Sequence, residues 1–528
     1  MADEVKHENN IQPGVILPSI QEADPELVKE MDAQINNEAE PTEAGNTDKR
    51  SETSSQNGKK SGGRPHVEVD QLARDLVETH FTKNGMKLLR FYSGTWWKYK
   101  DGRYIELNET DLKSRLTGIL HQAGVGKSDR INTPLVRDIV MNMQADDICG
   151  LPSDIYHPPC FINTAKSAKG LMPMRNVVID VEAVARAYTE DVPITFAVVN
   201  NEHKDKTPNM FITYGLDYDF TPGAECPMFM NYLEGVQPNP ENRLQLQMLA
   251  GLCLVPDCSY NVAFFLYGQG GTGKSVFMKV LEELVGKDNC CSVPLSKLVD
   301  KFSLPPLTEK LVNLVGEMPV IPEGGKNADI EGTLKGITSG DIMQVERKYM
   351  NPWKAPATAR MVFATNTMPA FTDRSNGVWD RLRIIPFNVV FRGSDKQNPH
   401  LAEDLTKELP GILLWAIQGL AMLRKHRTFP ECEEGKAIRE ELREDCDHER
   451  TFLRETTVED NDRDSGWVST KELFEDYQKW MSNNGYYRHV GMANFKKAVR
   501  RIYPASTCEK RRTEDGNIHV FYGLKKPC

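Results

Sequence analysis

The chain has 528 residues, of which 39% are hydrophobic and 27% charged, and a formal net charge of −10. That length exceeds one ordinary domain and predicts roughly three or four, in a protein of globular composition. The acidic balance excludes a uniformly basic coat, but leaves room for a local nucleic-acid surface.

The eleven cysteines are scattered, with no C-x-x-C pair and no His/Cys cluster. This argues against a disulfide framework or a zinc site and predicts free thiols in a reducing compartment. No signal-peptide pattern opens the chain. The longest apolar run, around Ile412–Leu423, is interrupted by Gln418 and is too short to span a bilayer. A cytoplasmic protein without a membrane partner is expected.

Residues 1–66 are acidic, polar and nearly free of aromatics. Such a segment cannot bury enough apolar area to offset its ordering entropy, so a disordered tail is predicted. An α+β domain over 67–225 follows. Leu72, Leu76, Val77 and Phe81 share one side of a helix, and an aromatic hairpin turns at Lys100-Asp101-Gly102. Helices are predicted at Glu109–Ala123 and Pro134–Gln144. From Ile148 to Phe220 only short strands and loops are assigned. Within it, Asn176–Glu182 reads as a strand carrying Asp180 and Glu182 on one face, the carboxylate pair a two-metal nucleotidyl transferase uses. The alternative is that these acids simply end a strand, and no third acid or histidine completes such a site.

Helical spacing runs from Cys226 to Pro256 and leads into the apolar strand Val262–Tyr267. Gly268-Gln269-Gly270-Gly271-Thr272-Gly273-Lys274-Ser275 follows at once and fits G-x-x-x-x-G-K-[ST]. Val276, Phe277, Val280, Leu281 and Leu284 then recur at helical spacing, and Gly286 stands where a C-terminal cap belongs. Strand, glycine loop and helix are the context of a phosphate site, with backbone N–H groups and a helix N-terminus facing the anion. Lys274, on a loop expected to face solvent without core packing, reaches the β- and γ-phosphates of ATP. Ser275 ligates Mg²⁺.

Leu311–Val315 is a second buried strand, ended by Gly316-Glu317. An acid at that tip polarises the attacking water or holds Mg²⁺, so Glu317 is a catalytic and a metal candidate. Arg360–Ala364 is a third strand and delivers Asn366, whose amide can orient water at the γ-phosphate. Asp380-Arg381-Leu382-Arg383 enters a fourth, Ile384–Phe387. Between the second and third, Val345–Tyr349 and Trp353-Lys354 form a basic, aromatic hairpin-like excursion. It is either a solvated loop or a grip on a nucleic-acid backbone.

The order of the glycine loop, Leu311–Glu317, the Thr338-Ser339-Gly340-Asp341 to Tyr349 segment, Phe363–Pro369 and Trp379–Phe387 resembles superfamily III helicases. The similarity is greatest to the helicase module of phage/plasmid primase-helicases, which poxvirus primase-helicases share. It covers roughly Cys226–Phe391, and 67–220 resembles, more weakly, the helical domain that precedes that module.

The resemblance implies an α/β fold, a P-loop NTPase (AAA+-like) core at 226–395 with an N-terminal mainly helical domain before it. It implies a homo-hexameric ring moving 3′→5′ on single-stranded DNA and acting at forks, with a primase or polymerase partner. It also implies Glu317 as Walker B acid, Asn366 as sensor and Arg381 as a finger reaching a neighbour's ATP. Arg347 and Lys348 fall in the DNA-contacting pore hairpin. The chain departs from the pattern in one respect: the usual acidic pair is reduced to Gly316-Glu317, with Asp341 a substitute ligand.

A helical connector is predicted at 396–447. At 448–528 three helices and a hairpin tipped by Asp515-Gly516 give the winged-helix order. Its charge gathers at Arg488, Lys496, Lys497, Arg500, Arg501, Lys510, Arg511, Arg512, Lys525 and Lys526. DNA contact by Lys496, Lys497, Arg500 and Arg501 is expected, against a packing module that merely closes the chain. The function that follows is an ATP-dependent DNA helicase. The alternatives are a DNA-binding initiator or remodeller that uses ATP as a switch, and the helicase subunit of a primase-helicase.

Overall fold

The computed structural model describes residues 69–122, 133–318 (save 200 and 202), 327–348, 352–391 (save 370, 372, 374 and 375), 398–484 (save 399), 490–513 and 516–527. The 1–66 tail, Tyr349, Arg488 and Asp515 lie outside them. The chain divides into one compact unit of Met1–Lys169 with Asp205–Gly215 and a second of Gly170–Lys204 with Leu216–Cys528.

In the first unit, α1 (Val69–His80), α2 (Glu109–Gln122) and α3 (Thr133–Met143) accompany β1 (Leu89–Tyr92), β2 (Thr95–Lys100), β3 (Arg103–Leu107) and β4 (Gly150–Leu151). The strands form a four-stranded sheet in the order β3-β2-β1-β4. Its turns place Ser93-Gly94 and Asp101-Gly102 at positive φ, the twist-matched hairpin geometry. One face packs Leu89 and Trp96 against Leu76, Val77, Leu112, Leu116, Ile139 and Val140 of the helices. Trp97 faces a second cluster with Tyr104 and Phe211. This unit is therefore α+β, not mainly helical. The aromatic alternation makes two hairpins rather than one, and α1–α3 cover their sheet.

The second unit opens with the antiparallel pair β5 (Leu171–Pro173) and β6 (Val178–Asp180), then α4 (Val181–Glu190), α5 (Pro227–Val236) and α6 (Pro240–Leu252). Its centre is a parallel sheet of β7 (Ala263–Tyr267), β8 (Cys290–Cys291), β9 (Val312–Val315), β12 (Arg360–Thr365) and β13 (Leu382–Pro386), in the order β8-β9-β12-β7-β13. Between them lie α7 (Lys274–Val285), α8 (Asn327–Ser339), the antiparallel hairpin β10 (Ile342–Val345) and β11 (Trp353–Pro356), and the short α9 (Asn376–Trp379). Cys290–Cys291 is a fifth strand that the sequence reading passes over. Central strands buried on both faces read as continuous apolar runs, as Phe264, Phe265, Val362 and Phe363 do.

The expected connector contains α10 (Leu409–His426) and α11 (Glu433–Cys446). α10 packs on α6 at backbone distance: a Cβ on Gly251 would collide with the Ala416 carbonyl, and one on Gly419 with the Gln247 carbonyl. Gln247 Nε2 also donates to Trp415 O at 2.9 Å.

The C-terminal part has α12 (His448–Thr456), β14 (Val458–Asp460), β15 (Trp467–Ser469), α13 (Thr470–Asn483), α14 (Met492–Ile502), β16 (Thr507–Thr513) and β17 (Gly516–Lys525). β17 pairs antiparallel with β14, β15 and β16. Phe452, Leu473, Tyr477, Phe495 and Phe521 fill the space between helices and sheet. Among the described residues no helix is long and apolar enough to cross a membrane. Among the described residues, Cys149, Cys160, Cys226, Cys253, Cys258, Cys290, Cys291, Cys432 and Cys508 are not in disulfides.

Candidate functional site

The register of the parallel sheet decides which side chains meet. Tyr267 stands level with Thr365 and with Pro386, and Val315 with Phe363, so these strands end along one edge. The glycine loop, Gly316-Glu317 and Asn366 all leave the sheet there. Gly268 N donates to Thr365 O at 3.2 Å and Met318 N to Ala364 O at 3.1 Å, which ties the three departures together.

The loop bends through Gly271 and Gly273, both at positive φ, and α7 starts at Lys274. Gly273 is required on two counts: its φ is 91°, and a Cβ there would stand 2.6 Å from Val236 Cγ1. Tyr232, also on α5, donates its hydroxyl to Gly273 O at 2.9 Å. Gln269, Gly270, Gly271 and Ser275 are exposed, while Thr272 is buried and bonds Gln269 O through Oγ1 at 3.0 Å.

Lys274 does not face solvent. It is 7% exposed, and its Nζ folds back onto Gly268 O (2.5 Å), Gln269 O (2.7 Å) and Thr272 Oγ1 (3.3 Å). Burial lowers its pKa from the ordinary lysine value. A buried ammonium needs polar partners, and the loop's own carbonyls and the Thr272 hydroxyl supply them.

Glu317 and Asn366 are both exposed, each just past its strand. Arg381 lies elsewhere. Its carbonyl accepts from Ala263 N at 2.9 Å, which puts it at the edge where the strands begin, roughly 16 Å from the glycine loop by strand rise. Its Nη1 donates to Gly377 O (2.5 Å) and its Nη2 to Ser339 Oγ (2.9 Å). Asp341, two residues past Ser339, bonds back to Gly336 O through its own N–H at this same far edge. It therefore cannot join Ser275 at a metal in the same chain.

The excursion between β9 and β12 is a true hairpin. Arg347 is half-buried beneath it in an ion pair with Glu309 and lies 5.7 Å from the Trp353 ring centroid. Lys348 is exposed, with Nζ 5.8 Å from the Phe302 centroid.

On α14, Lys497 and Arg500 are exposed and Lys496 is half-buried. Arg501 instead turns inward, with Nη2 2.8 Å from Oδ1 of the buried Asp447. Lys525 pairs with Asp460 and Lys526 with Asp476, whereas Lys510 and Arg512 are exposed on β16. Arg511 is held against Trp467, 4.8 Å from its ring centroid.

Asp180 and Glu182 do not form a carboxylate pair on one strand. β6 ends at Asp180, whose side chain caps α4 by accepting from Ala183 N at 2.9 Å. Glu182 lies in that helix and pairs with Arg424, which also binds Asp257. Among the described residues no group of three or more acids, histidines or cysteines is placed to hold a metal.

Residues 266–381 match a family described as of unknown function (DUF5906). The chain is similar to a protein of Acanthamoeba polyphaga mimivirus described as a putative helicase, 21% identical over 78% of this chain and 45% of that one. A protein of Invertebrate iridescent virus 3, also described as a putative helicase, is 28% identical over 26% of this chain and 15% of that one. The chain thus spans under half the length of these curated relatives. Among solved structures it is similar to the apo C-terminal region of NrS-1, at TM-score 0.49 and 13% identity over 85% of this chain and 98% of that one. A second apo structure of that region gives 0.49 and 12% over 87% and 100%.

Proposed function

We propose that this chain is an ATP-dependent DNA helicase of superfamily III, with a P-loop, AAA+-like core and a C-terminal winged-helix module. One observation carries the reading: the glycine loop, Glu317 and Asn366 converge at the edge where the parallel strands end. The helicase descriptions of the two viral relatives agree with it.

In this reading the loop N–H groups and the start of α7 cradle the triphosphate of ATP. Lys274 exchanges the Gly268 and Gln269 carbonyls for phosphate oxygens. Glu317 polarises the attacking water and Asn366 orients it. The Ser275 hydroxyl and the Glu317 carboxylate are hard oxygen donors of the kind Mg²⁺ prefers. When bound there, the ion neutralises charge on the phosphates.

Arg381 is too far along its strand to serve the ATP of its own chain. In this reading it acts on a neighbour's, as the resemblance to superfamily III helicases implies, in a homo-hexameric ring on single-stranded DNA and at forks. Lys348 and the exposed α14 cations Lys497 and Arg500, with Lys496, supply phosphate contacts. A primase or polymerase is the partner such a motor serves in the cytoplasm.

The test is ATP hydrolysis and strand displacement on a forked DNA, for the parent and for Glu317→Gln. DNA-stimulated turnover with unwinding, both lost in Glu317→Gln while ATP still binds, supports the reading. Hydrolysis without strand separation would assign a DNA-binding switch instead. Unimpaired turnover in Glu317→Gln would remove Glu317 from the site.

A further inference from the structure

We infer that Phe391 stacks on the nucleobase, so that the site grips a nucleoside triphosphate at its base as well as at its phosphates. This inference rests on the nucleotide-binding reading above and adds a residue to it.

After β13 the chain stays against the glycine loop. Phe387 N donates to Tyr267 O at 2.7 Å, and the Phe387 carbonyl closes so tightly on Gly268 that no side chain fits there. Four residues on, Phe391 N donates to Gly271 O at 2.8 Å. The far end of its ring, Cζ, lies 4.0 Å from where a Cβ on Gly235 would stand. Gly235 precedes Val236, and Val236 and Tyr232 are the α5 residues that press on Gly273. Residues 387–391 and α5 therefore flank the loop, and the Phe391 ring lies between them.

The exposure of Gly271 gives this placement its meaning. The Gly268 and Gln269 carbonyls turn in onto Lys274 Nζ, whereas Gly271 lies on the exposed stretch of the loop. A group bonded to Gly271 O accordingly stands on the rim of the cup, where ribose and base emerge. Phe391 is half-buried there, next to a Val390 that is 53% exposed. Every base offers a π-face, so stacking at this point favours nucleotides over bare polyphosphate while tolerating base identity.

The experiment is calorimetric titration of the full chain with ATP and, separately, with inorganic tripolyphosphate, for the parent, Phe391→Ala and Phe391→Trp. Base–aromatic stacking predicts about tenfold weaker ATP binding in Phe391→Ala. Tripolyphosphate binding should not change, and Phe391→Trp should bind ATP as the parent does. Parental ATP affinity in Phe391→Ala would overturn the inference. Equal weakening for both ligands would also overturn it, by making Phe391 a prop for the loop. A parent chain that binds neither ligand would instead remove the nucleotide-binding reading, and this inference with it. Thermal melts of the three proteins identify any variant that fails to fold.

Discussion

Arg347 Nη2 stands 2.7 Å from each carboxylate oxygen of Glu309, so the two adjacent cations of the hairpin have different work. Arg347→Ala removes a half-buried, charge-assisted hydrogen-bonded pair and should cost about 1.5–3 kcal/mol of stability. Lys348→Ala should leave stability unchanged and abolish the stimulation of ATP hydrolysis by single-stranded DNA. Melting curves beside DNA-titrated ATPase rates separate the two. Retained stimulation in Lys348→Ala would return this loop to ordinary solvated surface.

Lys274→Ala should abolish ATP turnover in a folded protein. The three acceptors of Nζ lie within the loop or its own side chains, and the rest of α7 packs through Phe277, Val280 and Leu281. A variant that hydrolyses ATP at the parental rate would remove the glycine loop from the chemistry.

Arg381→Ala should bind ATP almost normally and hydrolyse it very poorly, since a finger of this kind is worth about 10³–10⁵ in rate. Its bonds go to the neutral acceptors Gly377 O and Ser339 Oγ and not to a buried carboxylate, so their loss strands no charge and should not unfold the chain. Mixed with Lys274→Ala subunits, it should recover part of the activity, because some interfaces then receive a sound loop and a sound arginine. Mixed rings of well-folded subunits that recover nothing would show that Arg381 does not act across an interface.

On α14, replacing Lys496, Lys497 and Arg500 by Ala should lower the salt dependence of DNA binding, by about one unit of slope for each phosphate no longer neutralised. Arg501→Ala should leave that slope alone and destabilise the C-terminal part, because Asp447 is then buried without this partner. An unchanged slope in the triple variant would demote α14 to a structural element.

What was legible in the sequence was local. Val262 to Gly286 holds a strand, a loop and a helix within one stretch, and each is where its residues put it. The run Asn176–Glu182 reads as one strand because β-branched residues stand on both sides of Asp180, hiding the switch to helix there. Val181, Val184 and Ala185 do carry helical spacing, and Asp180 is a good cap, so that signal was present. The two-residue strand Cys290–Cys291 has no periodicity to read; its pairing to Val312 and Asn313 creates it.

Arg347 and Arg501 carry the same charge as their neighbours, and only the distant acids Glu309 and Asp447 distinguish them. The convergence of Glu317 and Asn366 was legible as an order of motifs. The placement of Arg381 and Asp341 at the opposite edge needed the strand register.

The contact between α6 and α10 has a further consequence. At Gly251 and Gly419 the two helices meet main chain to main chain, with no side chain of either glycine between them. Pressure unfolds proteins largely by eliminating internal voids, and such a seam leaves little void to eliminate. On the parallel sheet the contacts are instead made by side chains, with the Phe265 and Phe363 rings of neighbouring strands stacked and Phe371 edge-on to Phe265, so under hydrostatic load the sheet should loosen first. The helix pair should hold together longest, as an incompressible keel.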